Sequence, residues 1–154
     1  MRLKKFLIFT FIIINLVGVN QSYSIEPDVF VQSTVNRASE ALNNKYSKEE
    51  KIEKLKQIAS ETVDINGIGY YTLGAYRKNI SNNEIIQYEM LFEQYFLKSF
   101  SSRLAEYSNP EIEVVSKKKL NENYTMVSSI LVGTEQRPEV KIDWRIYTKK
   151  PENP

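Results

Sequence analysis

The chain has 154 residues, with 21 basic and 19 acidic side chains, no histidine and no cysteine. Without imidazole or thiolate, metal centres built on those ligands, cysteine nucleophiles, serine–histidine arrangements and disulfides are all excluded, and an apolar core has to hold the fold alone.

At the amino terminus Arg2, Lys4 and Lys5 precede an apolar segment from Phe6 to Val19, 14 residues long, and the small-x-small site Ser22-Tyr23-Ser24 follows. A membrane-spanning helix takes about 20 apolar residues, so the pattern predicts a secretory signal over residues 1–24, cleaved after Ser24. The alternative, an uncleaved anchor, is weakened by the short span and by Asn15. Such a signal predicts export of the mature protein, with the periplasm as its expected location. Removing the segment takes away three basic and no acidic residues, which leaves 18 against 19 and a formal charge of −1 on 130 residues. That length suits one domain, residues 25–154. A neutral chain of mixed charge lacks the basic face that nucleic acid requires.

Helices are expected first. Pro27 suits an early helical position, and Val31, Val35, Ala38 and Leu42 follow at helical spacing, predicting a helix from Pro27 to Asn43. Ser47-Lys48-Glu49-Glu50 reads as a capping box ahead of an apolar stripe of Ile52, Leu55, Ala59 and Val63. Glycines 67, 69 and 74 break the next stretch, so Asp64 to Tyr76 is expected to be a short helix or turn rich in aromatic groups. A second capping box, Ser81 to Glu84, opens the longest periodic segment. There Ile85, Tyr88, Phe92, Tyr95 and Ser99 recur at helical spacing, and Leu91, Phe96, Leu97 and Phe100 broaden the face. A helix apolar over most of its circumference is normally enclosed, so this one is expected to be central and packed across a sheet. Asn109-Pro110 stops it, after an end near Tyr107.

From Glu111 the apolar period falls towards two, and strands are predicted over Glu111–Lys117, Tyr124–Val132 and Glu139–Tyr147 as an antiparallel meander. In the third, Val140, Ile142, Trp144 and Ile146 alternate with Lys141, Asp143, Arg145 and Tyr147, the pattern of a strand with one wet face. Glu111 and Glu113 form a close acidic pair, but their i, i+2 spacing fits a solvated strand face better than a catalytic pair. The run Lys117-Lys118-Lys119 reads as a solvated loop, with contact to anionic lipid or an acidic partner as its functional alternative. The order of elements predicts an α+β fold, N-terminal helices packed on a twisted antiparallel sheet with an apolar pocket between them.

Leu73-Gly74-Ala75-Tyr76-Arg77, followed by Ser81 and Glu84 ahead of the aromatic helix, resembles the LG-x-W/Y-R signature of the MlaC family. Val140-Lys141-Ile142-Asp143-Trp144-Arg145 resembles that family's late V-x-I-x-W-R strand. Together with the export signal and the order of elements, the likeness spans nearly the whole chain. MlaC proteins are periplasmic phospholipid-binding proteins, also called toluene-tolerance auxiliary proteins. The resemblance implies a non-enzymatic carrier with phospholipid as cargo and no other cofactor. It also implies passage between an outer-membrane lipoprotein–porin complex and an inner-membrane ABC transporter complex, supporting outer-membrane lipid asymmetry. Tyr76 stands where the family often has tryptophan. The family also continues past the W-R strand with a further strand and a terminal helix, so a domain lacking those two elements is expected, with an opened pocket and a tendency to aggregate.

The lipid-lining residues expected from the aromatic helix and the strands opposite it are Leu73, Tyr76, Phe92, Phe96, Val127, Ile130, Ile142 and Trp144, any of which could equally be ordinary packed core. Arg77 and Arg145 are candidates for a headgroup contact at the mouth, where a guanidinium meets phosphate, with surface ion pairs as the plain alternative. Two other readings remain open: an interaction adaptor with a solid core and no ligand, and a non-functional truncated remnant.

Overall fold

The computed structural model describes residues 25–135 and 137–148. The expected signal segment, residues 1–24, lies outside the described residues, as do Gln136 and residues 149–154. Helices α1 (Pro27–Ala41), α2 (Lys48–Thr62), α3 (Ile65–Thr72) and α4 (Asn82–Leu104) come first, with a 3-10 turn at Gly74–Lys78 ahead of α4. Strands β1 (Ile112–Lys119), β2 (Tyr124–Leu131) and β3 (Val140–Tyr147) follow, giving the expected α+β order. No described helix is long and apolar enough to cross a membrane.

Local chemistry sets the helix starts. Pro27 occupies the first turn of α1, where its missing N–H removes no bond. Both capping boxes form. Ser47 N–H donates to Glu50 Oε2 at 2.7 Å while Glu50 N–H donates to Ser47 Oγ at 3.2 Å. The Ser81–Glu84 pair repeats the exchange at 2.8 and 3.3 Å. Asp64 caps α3 by accepting from Gly67 N–H at 3.0 Å. Past α4, Asn109 takes a left-handed φ of 47°, a conformation asparagine tolerates. Its N–H donates to Leu42 O at 3.2 Å and its Oδ1 accepts from Asn44 N–H at 3.1 Å, tying the exit of α4 to the end of α1.

The three strands form the expected meander, ordered β1-β2-β3 and antiparallel throughout. Cross-strand partners share a face, so Thr125, Val127, Ser129 and Leu131 lie with Ile146, Trp144, Ile142 and Val140 on one side. A bulge in β1 between Val114 and Ser116 reverses the alternation there. Ile112 and Val114 face inward before it and Lys117 after it, and Lys117 reaches Asp28 and Glu26 at the start of α1 at 2.7 and 3.3 Å. The lysine run is therefore part of a strand, and its first member anchors a helix.

Two apolar clusters hold the domain. Ala41 and Leu42 of α1 join Leu55 and Ile58 of α2 and Ala105 just past α4. Val31 and Val35 of α1 join Val127, with Phe30, Ile112, Val114, Trp144 and Ile146 packed around them. The sheet thus takes its helix cover from α1, while the aromatic α4 packs on α2 and α3, which corrects the expectation that α4 lies across the sheet. Periodicity showed that α4 is apolar over much of its surface but carried no information about its neighbour. The small β-branched Val31 and Val35 let α1 sit close to the strands.

Candidate functional site

Two apolar walls arise from this arrangement. The first is the inner face of the sheet. Val127 and Ser129 are fully buried, and their cross-strand partners Trp144 and Ile142 are half-buried. Trp144 Nε1–H donates to Ser129 Oγ at 2.8 Å, so the one polar atom of the indole is satisfied and its ring orientation is fixed.

The second wall is the ladder Tyr88, Phe92, Phe96 and Phe100 along α4. Spacing of four residues puts them on one stripe, and successive ring centroids are 5.9, 6.2 and 5.6 Å apart in stacked pairs. All four rings are half-buried. Helix α3 backs the ladder: Tyr88 Oη and Thr72 Oγ1 are 2.8 Å apart. A Cβ on Gly69 would stand 2.9 Å from Phe92 Cδ1, so glycine is what permits this approach. Leu73 is the half-buried cap residue of α3.

The expected lining residues divide accordingly. Val127, Ile142 and Trp144 share the inner sheet face, and Phe92 and Phe96 share the ladder. Ile130 does not belong with them: paired with Lys141, it lies on the outer face, because Val127 and Ile130 are an odd number of residues apart. Tyr76 is 77% exposed in the 3-10 turn, standing out from the surface. The two arginines lie on separate elements, each over a tyrosine ring. Arg145 stacks on Tyr124 at 4.3 Å on the outer sheet face, and Arg77 stacks on Tyr70 of α3 at 5.0 Å. Tyr88 and Phe100 were placed on the apolar face of the aromatic helix but not among the expected lining residues, although strict i, i+4 spacing joins them to Phe92 and Phe96; Ser129 was not singled out.

Two cavities lie elsewhere. One, of about 520 Å³, is lined by Glu106–Glu111 and the β2–β3 connection. Arg137 bridges it to Glu106 at 2.8 Å and holds that carboxyl below its usual range by hydrogen bonding. The other, of about 450 Å³, lies between α1 and α2 around Tyr46, whose ring is capped by Lys54 at 4.4 Å. Neither touches the ladder or the inner sheet face. Among the described residues no three acidic side chains converge as a metal site would require. What the two walls can do chemically is remove hydrocarbon from water.

A one-sided sheet and a half-exposed aromatic ladder, in a chain without histidine or cysteine, have the makeup of a binding or transport protein. The profile of the MlaC protein family matches residues 32–153, and the chain belongs to that family. Among solved structures it is similar to the phospholipid-binding protein from Ralstonia solanacearum, determined in complex with a phospholipid. The TM-score is 0.65 and the identity 12%, over 81% of this chain and 72% of that one. No curated protein matches.

Proposed function

We propose that this protein is a phospholipid carrier of the periplasm, holding acyl chains against the aromatic ladder and the inner sheet face while lipid passes between the outer and inner membranes. The observation that carries the reading is the half-exposed state of Phe92, Phe96, Ile142 and Trp144, large apolar groups that a solid core would have enclosed. Family membership and the fold shared with a protein bound to phospholipid support it. So does the size of the task. A diacyl lipid exposes roughly thirty methylenes at ~0.8 kcal/mol each, on the order of 20 kcal/mol in all, so a carrier needs broad apolar cover and no titratable catalyst. The outer-membrane lipoprotein–porin complex and the inner-membrane ABC transporter complex are its proposed partners, and the secretory signal its route to them.

The test is to purify the protein from a periplasmic fraction, sequence its amino terminus and analyse an organic extract by mass spectrometry. A start at Ile25 and about one phospholipid per chain are expected. An intact leader in the membrane fraction, or a processed protein without lipid, would overturn the proposal.

A further inference from the structure

The segment from Ile65 to Asn83 contains no acidic residue and carries Arg77 and Lys78. It also holds four exposed apolar or aromatic side chains: Ile68 is 39% exposed, Tyr70 42%, Tyr71 78% and Tyr76 77%. Single exposed apolar side chains are ordinary, whereas contiguous ones mark contact sites. Helical geometry accounts for the clustering. Ile65 and Gly69 are buried, Gly69 against Phe92 of α4, and a helix of 3.6 residues per turn then directs Tyr70 and Tyr71 to the opposite side. Arg77 lies over the Tyr70 ring at 5.0 Å, which brings the cationic 3-10 turn against the tyrosines of α3.

We propose that α3 and the 3-10 turn form a docking face for a bilayer containing anionic phospholipid. Tyrosine places its ring at the headgroup level with its phenol in water. Arg77 and Lys78 supply the charge complementary to lipid phosphate, and each basic residue near such a surface adds appreciable affinity. Because α3 also backs the aromatic ladder through Gly69 and Thr72, docking here sets the lipid-holding helix close to the membrane. The proposal builds on the carrier reading but concerns a different surface, since Tyr71 and Lys78 line neither apolar wall.

The experiment uses the processed protein and sedimentation with vesicles of phosphatidylcholine alone or with about one-third phosphatidylglycerol. Binding is expected only to the anionic vesicles and is expected to weaken as salt rises. The double variant Tyr71→Ser, Lys78→Gln should bind at least about five-fold more weakly, the share of one basic residue, while its bound phospholipid per chain stays at the wild-type level. Absence of vesicle binding by the wild-type protein, equal binding to both vesicle types, or a double variant that binds undiminished each overturns the docking face. The first of these outcomes would direct the patch to a protein partner. Lipid content is measured in the same samples, so an empty wild-type protein refutes the carrier reading separately.

Discussion

Gly74 ends α3 at φ 54°, and no heavy atom lies within 4 Å of the position a Cβ would occupy. A side chain there meets backbone strain without any steric clash, and the left-handed conformation costs an L-residue about 1–2 kcal/mol. Part of that is offset, because alanine also narrows the unfolded ensemble by about 0.4–1 kcal/mol. Gly74→Ala is therefore expected to destabilise by about 1 kcal/mol, read as a lower denaturation midpoint at unchanged slope. A midpoint at or above wild type would show that the turn does not need this conformation. The same residue scale shows where sequence reading worked and where it failed. Gly74 was legible as a break because glycine's role is local. Tyr76 was not legible as an exposed side chain, since a 3-10 turn has no long periodicity to reveal its facing. Ile130 was legible and misread: its odd separation from Val127 already assigned it to the other side of β2.

Among the elements, α1 links the two clusters, with Val31 and Val35 toward the sheet and Ala41 and Leu42 toward α2. Lys117 fixes its amino-terminal end to β1 through Asp28 and Glu26. The hydrogen bond from Lys117 holds the Asp28 carboxyl below its usual 3.8, and Asp28 in turn raises Lys117 above its usual 10.5. A depressed carboxyl contributes stability that is present above its unfolded pKa and lost as pH falls through the folded one. A raised ammonium contributes stability that is present below its unfolded pKa and lost as pH rises through the folded one. The stability difference between wild type and Lys117→Met should accordingly be flat between these limits and shrink below pH 3.8 and above pH 10.5. Denaturant titrations of both proteins across pH test this, and a difference that persists undiminished in acid would remove the ion pair from the account. This contact depends on the bulge in β1, which turns Lys117 inward. Nothing in the lysine run announced the bulge, because it is set by pairing with β2. The two capping boxes were legible from four-residue windows, as their partners lie within a single turn.

At the scale of the whole molecule, the residues proposed to hold lipid come from two surfaces that are joined through α1, which covers the sheet, and α2, on which α4 packs. A local pattern could supply each wall: β3 alternates as expected, and the ladder is written at intervals of four. How the walls are disposed was beyond reach, because the identity of the helix covering the sheet depends on the fit between side chains of distant segments. The proposed walls make a prediction specific to this arrangement. Phe96→Asn with Ile142→Asn places polar groups on both walls at half-buried positions, where an apolar ligand leaves a buried amide unpaired. Ile130→Asn, on the outer sheet face beside Lys141, introduces the same group away from both. Bound phospholipid per chain should fall several-fold in the first variant and remain at the wild-type level in the second. Because ligand that binds only the folded state raises stability in proportion to RT ln(1 + [L]/Kd), stripping lipid from the wild-type protein should lower its denaturation midpoint. It should change that of the Phe96, Ile142 double variant little. The stripped proteins, compared with one another, separate a loss of lipid contact from a loss of fold. If the double variant folds and keeps wild-type lipid, or if Ile130→Asn loses as much lipid as the double variant does, the ligand lies on some other surface of the domain.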